Sequence, residues 1–94
     1  MKLIFSSASW DDYLYWQHHD PEMLQRVNEL LAQCRRTPFS GIGKPEPLVG
    51  NLKGFWSRRI SQEHRLVYRV SGKGDGATGD LRRIAEAAVG DDAG

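Results

Sequence analysis

The chain has 94 residues, a formal net charge of +1 and a single cysteine. This length supports one domain around a single modest core, so we expect residues 1–94 to form one domain, and a two-domain enzyme is excluded. A lone cysteine excludes an intramolecular disulfide and a cysteine-based zinc cage. No apolar run approaches the roughly 20 residues of a membrane-spanning helix, and the opening MKLIFSSASWDD turns acidic where a secretory signal would still be apolar. We therefore expect a soluble, cytoplasmic protein with no membrane partner.

The first predicted elements are a short strand and two helices. Residues 2–5 form an apolar run fit for a strand. Ser9 can cap a helix over residues 10–18, because its hydroxyl can accept an amide proton that has no partner within the helix. Asp20 and Pro21 then provide a cap and a first-turn proline for a second helix. Its apolar stripe consists of Met23, Val27, Leu30, Leu31 and Cys34. This pattern predicts two helices in tandem, with the cysteine in the core.

A loop and a hairpin follow the helices. Residues 37–43 are rich in turn formers, and residues 44–48 are expected to be extended because the residue before a proline is pushed out of the helical region. Residues 55–61 and 65–70 are aromatic and β-branched and are separated by a short polar segment, which predicts an antiparallel hairpin. In its second strand the odd positions should share one face and the even positions the other. The cationic face would hold Arg65, Val67 and Arg69, and the core face Leu66, Tyr68 and Val70.

The last quarter of the chain has a different character. Residues 71–79 are glycine-rich and short of apolar side chains, which is typical of a mobile loop. The alanine-rich run over residues 81–89 favours a helix, with Asp80 as its cap. Residues 71–94 are therefore expected to form a divergent tail.

Positive charge is concentrated in the middle of the sequence. Acidic residues outnumber basic ones before residue 35 and again from residue 74, whereas the segment between them has a local charge of about +7. Its cations are Arg35, Arg36, Lys44, Lys53, Arg58, Arg59, Arg65, Arg69 and Lys73. The aromatics Phe55, Trp56 and Tyr68 interleave with them and offer faces on which unpaired bases can stack. This pattern favours nucleic acid as the partner; the alternative is a solvated cationic sheet face.

Several separate sequence motifs resemble those of a known protein family. SWDDYLYW, RRTPF, GKPEPL, NLKGFWSRRI and EHRLVYRV, all within residues 1–70, resemble the YoeB branch of the RelE/ParE toxin superfamily. The resemblance implies an α+β, microbial ribonuclease-like fold in which two N-terminal helices pack on a twisted antiparallel sheet, in the order β-α-α-β-β-β. It also implies a toxin that binds the ribosomal A site and cleaves messenger RNA, a YefM-like antitoxin as partner, and homodimers in related toxins.

The resemblance also implies roles for particular residues. The glutamate of the KPEP motif falls on Glu46 as general base, and the arginine of EHRLVY falls on Arg65 as transition-state stabiliser. Arg59 would contact a phosphate or the RNA, and we place Lys44, Lys53, Arg58 and Arg69 with it as candidate RNA contacts. Attack of a ribose 2′-hydroxyl on its phosphate needs a base and cations, which makes a metal-independent endoribonuclease without a cofactor the expected enzyme. The structural alternative for Arg65 is a salt bridge to Glu46 or Glu63.

The tail leaves two functional classes open. Related toxins end in Arg-Tyr-His-Tyr, which supplies a catalytic histidine and a terminal tyrosine, whereas this chain continues after Glu86 as Ala-Ala-Val-Gly-Asp-Asp-Ala-Gly. Val49 and Gly50 also stand where close relatives can have basic or imidazole side chains. We assign no proton donor among His18, His19 and His64. The chain is expected either to cleave RNA with Glu46 and Arg65 or to bind RNA, ribosome and antitoxin without cleavage; a gyrase-targeting relative, as in the ParE branch, is a minor variant that the KPEP and EHRLVY words disfavour.

Overall fold

The computed structural model describes residues 1–86, which form an α+β domain of two helices on one face of a five-stranded sheet. The elements are β1 (Lys2–Phe5), α1 (Ser7–His19), α2 (Pro21–Arg36), β2 (Glu46–Pro47), β3 (Trp56–Arg59), β4 (His64–Ser71) and β5 (Thr78–Glu86). Short 3₁₀ turns span Gly50–Leu52 and Gly74–Gly76. The fold class predicted from the sequence is confirmed. Neither helix of residues 1–86 is long and apolar enough to cross a bilayer.

The sheet has the order β1-β5-β4-β3-β2. Neighbouring strands run antiparallel except β1 and β5, which are parallel, so the sheet is mixed and not wholly antiparallel as expected. The prediction of a helix over residues 81–89 is wrong for residues 81–86, which belong to strand β5. Strand β5 pairs with β1 on one side and β4 on the other, and these two ladders override the helix preference of its alanines. Asp80, predicted as a helix cap, lies opposite Arg69 within the sheet, and residues 87–89 lie outside the described part of the chain.

Both helices begin at side-chain caps. Helix α1 starts earlier than predicted: Ser6 is its N-cap and accepts a hydrogen bond from the Ser9 amide at 3.0 Å. Ser9 itself is buried inside the first turn. Helix α2 starts as predicted, because the Asp20 carboxylate accepts a hydrogen bond from the Met23 amide at 3.1 Å and Pro21 occupies the first turn. The end of α1 and the start of α2 therefore share Asp20 as their junction.

The core lies between the helices and one face of the sheet. Val27, Leu30 and Cys34 of α2 have no exposed surface, as the apolar stripe predicted. Their buried partners are Trp16, Leu31, Ile60, Leu66, Tyr68, Leu81 and Ile84. Both helices cover this face of the sheet, which leaves the opposite face of β2, β3 and β4 open.

Helix α1 also protects an exposed part of β5. Strand β1 pairs with β5 only as far as Leu81, which leaves the backbone of Ile84 without a strand partner on that side. The Asp12 carboxylate accepts a hydrogen bond from the Ile84 amide at 2.8 Å, and the Trp16 indole donates one to the Ile84 carbonyl at 2.7 Å. These two side chains thus make the hydrogen bonds that the backbone of Ile84 would otherwise make with a neighbouring strand.

Candidate functional site

The strand register places the two predicted catalytic residues on the same face of the sheet. Glu46 of β2 lies opposite Ser57 of β3, which lies opposite Val67 of β4. Arg59 and Arg65 form the next pair two residues along. Since alternate residues of a strand share a face, all of these side chains point to the open side of the sheet. We call this surface the open face.

The spacing within the open face allows Glu46 and Arg65 to meet a common ligand. They lie two strands and one two-residue step apart, which corresponds to roughly 12 Å between Cα atoms. The side chains between them, Ser57 and Val67, are short and only 3% exposed, so they form the floor of the face. The long side chains of Glu46 and Arg65 can therefore reach over this floor towards one group.

The backbone around Glu46 is anchored to β3 on both sides. The Arg59 amide donates a hydrogen bond to the Gly43 carbonyl at 2.7 Å, and the Leu48 amide donates one to the Phe55 carbonyl at 2.9 Å. Two prolines flank Glu46 and limit its backbone freedom further. Its carboxylate is exposed on a short, tethered strand, which suits a group that must be presented to a ligand.

Arg65 is held by the protein backbone. Its guanidinium donates a hydrogen bond to the Ser61 carbonyl at 3.2 Å, and the residue is partly buried. The ion pairs found within residues 1–86 do not involve Arg65, Glu46 or Glu63, so the salt-bridge alternative for Arg65 has no support in the structure. Within the described part of the chain, the positive charge of Arg65 is therefore oriented and has no ion-pair partner.

Four of the candidate RNA contacts are on the protein surface. Lys44 and Arg59 are exposed next to Glu46, and Lys53 is exposed at the end of the 3₁₀ turn that precedes β3. Arg69 is exposed on β4, with a guanidinium nitrogen 3.8 Å from the Asp80 carboxylate. Surface positions with this charge are accessible to a polyanion.

The prediction that Arg58 contacts RNA is wrong, because its side chain has no exposed surface. Arg58 lies one position out of phase with Ser57 and Arg59 and so points to the helix side of the sheet. Its Nε donates a hydrogen bond to the Tyr68 hydroxyl at 3.2 Å, and its two terminal nitrogens donate to backbone carbonyls. Those carbonyls belong to Thr37, Ser40 and Ile42. Arg58 thus fixes the loop that leads into β2.

None of the three histidines lies on the open face. His18 and His19 are exposed in the last turn of α1. His64, at the start of β4, packs edge-on against Trp16 with ring centroids 4.8 Å apart, on the helix side of the sheet. The open face within residues 1–86 therefore offers no imidazole as a proton donor. The same part of the chain contains no group of three His, Cys, Asp or Glu side chains arranged to hold a metal ion.

The buried thiol is not a nucleophile. Cys34 has no exposed surface, and burial raises the pKa of its thiol from 9.0 to about 11, although the nearby charge of Arg58 opposes this rise. The Tyr68 hydroxyl beside it also has a raised pKa, mainly because of burial. Both groups stay protonated at neutral pH and serve the core.

Two helices on one side of a sheet whose other side is open and cationic define a small toxin fold of the RelE and YoeB type. Within this class of toxins, the amino-acid sequence matches one family. The chain belongs to the family of YoeB-like toxins of bacterial type II toxin–antitoxin systems, whose sequence model matches residues 5–77. The match ends before β5, so the strand that lies between β1 and β4 in the sheet is outside it.

Individual relatives are similar over most of their length. Toxin YoeB of Escherichia coli strain K12 is 65% identical over 71 residues, which cover 76% of this chain and 84% of that protein. The solved YoeB/ParE toxin from Agrobacterium tumefaciens has a TM-score of 0.88 at 49% identity, covering 92% of this chain and 98% of its own. The structural similarity thus extends further along the chain than the sequence model does.

A third relative has been solved in two assemblies. The YoeB dimer from Staphylococcus aureus has a TM-score of 0.79 at 40% identity and covers 90% of this chain and 94% of its own. The heterotetrameric YoeB-YefM toxin-antitoxin complex from the same organism matches with the same TM-score and coverage at 41% identity. These similarities place the chain among type II toxins.

One cation of this face, Arg82, was not among the residues predicted from the sequence. Arg82 lies on the open side of β5 beside Phe55, with its guanidinium carbon 5.7 Å from the ring centroid. The alanine-rich composition of this segment predicts a helix, so the sequence alone does not place Arg82 on the face. Leu81 and Ile84 are three positions apart in the sequence, which is a helical spacing and not the alternation of a strand, so no local signal indicates this position of Arg82.

Proposed function

We propose that this toxin is a ribosome-dependent endoribonuclease that cleaves messenger RNA by attack of a ribose 2′-hydroxyl on the adjacent phosphate, and so inhibits translation. The observation that supports this most directly is that one open face presents an exposed carboxylate and an oriented guanidinium, which has no ion-pair partner within residues 1–86. In-line attack requires both a base beside the hydroxyl and positive charge beside the phosphate. Glu46 and Arg65 supply this pair.

Each residue has a defined part in the proposed reaction. The Glu46 carboxylate accepts the proton of the 2′-hydroxyl as the 2′-oxygen forms a bond to phosphorus. The bond from phosphorus to the 5′-oxygen of the next nucleotide breaks, that oxygen takes a proton from a donor that the ribosome supplies or organises, and a 2′,3′-cyclic phosphate is left. The Arg65 guanidinium keeps its charge and presents a planar fork to the phosphate oxygens as negative charge accumulates on them. No step needs a metal ion or a cofactor.

The remaining surface cations would hold the RNA strand. Lys44, Lys53, Arg59 and Arg69 are exposed and can neutralise phosphates of a strand that is bound at the proposed catalytic pair. Such contacts position the strand without reading its sequence. We assign the selection of the cleavage site to the ribosome, and its messenger RNA substrate places the toxin in the cytoplasm.

A YefM-like antitoxin is the proposed partner that controls the activity. The S. aureus relative has been solved with YefM and as a dimer, and both assemblies are extended to this chain as proposals. An acidic, partly disordered antitoxin segment that folds on binding would complement the cationic open face and compete with RNA.

Purified toxin incubated with programmed ribosomes tests the proposal. We expect cuts in the A-site codon that leave a 2′,3′-cyclic or 3′-phosphate. Glu46→Gln should lower the cleavage rate by about 10²–10⁴, the usual contribution of a general base, while ribosome binding persists. Arg65→Ala should lower it by about 10²–10³, as the loss of a transition-state donor does.

The matched control is Glu63→Gln, which makes the same change at an exposed glutamate in the β3–β4 turn and should leave the rate unchanged. Full activity of Glu46→Gln would refute its assignment as the base.

A second function has one observation in its favour. None of the histidines lies on the open face, so the proton donor for the leaving oxygen has no side-chain candidate of that type within residues 1–86. A toxin without this donor could bind ribosome and antitoxin and not cleave. Ribosome binding without new RNA ends would favour this non-cleaving function and overturn the first.

A further inference from the structure

One aromatic ring on the open face is flanked by two arginines. Phe55, just before β3, has the guanidinium carbon of Arg69 5.0 Å from its ring centroid and that of Arg82 5.7 Å away. An arginine that stacks on an aromatic ring is attracted by the negative ring face and loses much of its rotational freedom. Its N–H edge remains able to donate to an anion. The Phe55 ring therefore holds the guanidinium groups of two arginines close to each other.

A β-bulge puts Arg82 in this position. Val67 of β4 pairs with Arg83, whereas the next residue, Tyr68, pairs with Leu81, so Arg82 is the additional residue in β5. This irregularity allows Leu81 and Ile84, three positions apart, both to face the core. Bulges commonly redirect a side chain in this way. Arg82 is the one turned towards the ring.

The charges around the ring do not balance. Arg69 lies 3.8 Å from the Asp80 carboxylate, which also accepts a hydrogen bond from the Ser71 hydroxyl at 3.0 Å. Arg82 belongs to no ion pair within residues 1–86, and its buried Nε has no hydrogen-bond partner there. Leaving a partly buried guanidinium without a counter-charge is unfavourable. This arrangement suits an anion that arrives from outside.

A small hollow gives that anion a place. It measures about 200 Å³ and is lined by Ser6, Phe55, Arg69, Asp80, Leu81 and Arg82. Along β4, Arg69 is four residues from Arg65, which corresponds to roughly 13 Å between Cα atoms. A phosphate bound in this hollow would therefore not be the scissile phosphate. It would be another phosphate of the same RNA strand.

We propose that Phe55, Arg69 and Arg82 form a second phosphate subsite that binds the backbone of single-stranded RNA away from the scissile linkage. The subsite rests on the proposed function for its ligand, because an RNA strand gripped at Glu46 and Arg65 continues along β4 towards it. Arg82 and Phe55 position the strand and take no part in bond breaking.

Salt-dependent binding tests this subsite without requiring cleavage. The probe is a fluorescein-labelled 2′-O-methyl oligoribonucleotide, which lacks the attacking hydroxyl, and its anisotropy is measured with the full chain over a series of salt concentrations. Arg82→Gln should weaken binding and lower the slope of log K against log salt by about 0.7, the value for one lost contact to a single strand. Phe55→Leu should weaken binding with little change of slope, because it removes the stack but not the charge.

The matched control is Arg36→Gln, which removes the same charge from an exposed position at the end of α2, on the helix side of the sheet. It should leave affinity and slope near the wild-type values. Equal effects of Arg82→Gln and Arg36→Gln, or no binding of the oligonucleotide by the wild type, would overturn the subsite. Thermal melting of each variant establishes that the fold is intact.

Three further outcomes distinguish the subsite from the proposed function and from a peptide site. If the wild type cuts no messenger RNA on ribosomes but Arg82→Gln lowers the salt slope, the proposed function fails and the subsite stands. If cleavage occurs and the slope is unchanged, only the subsite fails. Poly-L-glutamate serves as the competing polyanion: binding that depends on Arg82 for this polymer and not for the oligonucleotide would assign the hollow to an acidic peptide and overturn the RNA assignment.

Discussion

Arg58 shows how one residue can link the core to the site without touching a ligand. It carries a positive charge in a position with no exposed surface, and its donors are met by the Tyr68 hydroxyl and by three carbonyls of the loop before β2. That loop leads directly into the strand that presents Glu46. Buried charges are tolerated only when they are hydrogen-bonded in this way.

We predict that Arg58→Met destabilises the protein by about 2–4 kcal/mol, because it keeps much of the side-chain volume but leaves loop carbonyls without their donors. Urea unfolding followed by tryptophan fluorescence measures the effect. Arg59→Met is the matched control, since Arg59 is exposed on the next residue, and it should stay within about 0.5 kcal/mol of the wild type. Equal midpoints for the two variants would contradict the structural role of Arg58.

The sequence contained a signal that distinguishes Arg58 from Arg59. Trp56, Arg58 and Ile60 have the same parity, and the bulky apolar residues at both ends mark that side of the strand as the core side. The prediction of RNA contacts relied on charge alone and therefore grouped Arg58 with its neighbours. The strand register brings Glu46, Arg59 and Arg65 to one face, whereas their catalytic roles remain predictions. No pattern in the sequence indicates which loop carbonyls a buried arginine will meet.

Among the elements, helix α1 takes the place of a neighbouring strand along the second half of β5. Asp12 joins its first half to β5 by accepting from the Ile84 amide at 2.8 Å and from Arg83 at 2.8 and 3.2 Å. These bonds raise the pKa of the Arg83 guanidinium above its ordinary value. Helix and strand are therefore connected by one carboxylate that serves both backbone and side chain.

Asp12→Ala should destabilise the protein by about 1.5–3 kcal/mol, the range for hydrogen bonds to a charged group, and should speed hydrogen exchange at the Ile84 amide. Asp11→Ala is the control, because Asp11 is exposed on the neighbouring position of α1. Exchange is followed by two-dimensional NMR, and melting temperatures give the stability change. If the Ile84 amide exchanged equally fast in both variants, Asp12 would not be closing the edge.

Local patterns predicted the helices and the hairpin but not β5. The stripe of α2 and the alternation of β4 are properties of short segments, which a sequence displays directly. Strand β5 instead depends on residues far away: β1, at the other end of the chain, supplies one ladder and β4 the other. Its alanines prefer a helix in isolation, and tertiary pairing reverses that preference.

The order of the sheet makes the whole domain one cooperative unit. Strand β5 must enter between β1 and β4, so neither half of the chain completes the sheet without the other. The core that results contains Cys34 and Tyr68 next to the charge of Arg58. Global stability should therefore respond to the titration of a single buried thiol.

We predict that stability falls between pH 9 and pH 11 through Cys34. In the folded state burial raises the pKa of the thiol from 9.0 to about 11, so the unfolded chain releases this proton first as the pH rises. The unfolded state is thereby favoured, and the loss amounts to about 2–3 kcal/mol once the pH reaches the folded pKa. Below pH 9 the thiol is protonated in both the folded and the unfolded state, so it adds no pH dependence to the stability there.

Cys34→Ala isolates this contribution. The substitution removes some packing, and that loss does not depend on pH. Every other titrating group is present in both proteins, and Cys34 is only a minor cause of the raised pKa of Tyr68 beside burial. The stability advantage of the wild type over Cys34→Ala, measured by urea unfolding at intervals from pH 8 to pH 11, should therefore shrink steadily above pH 9. A constant difference over this range would mean that the thiol ionises as readily in the folded protein as in the unfolded chain, and that the two layers around Cys34 do not exclude water from it.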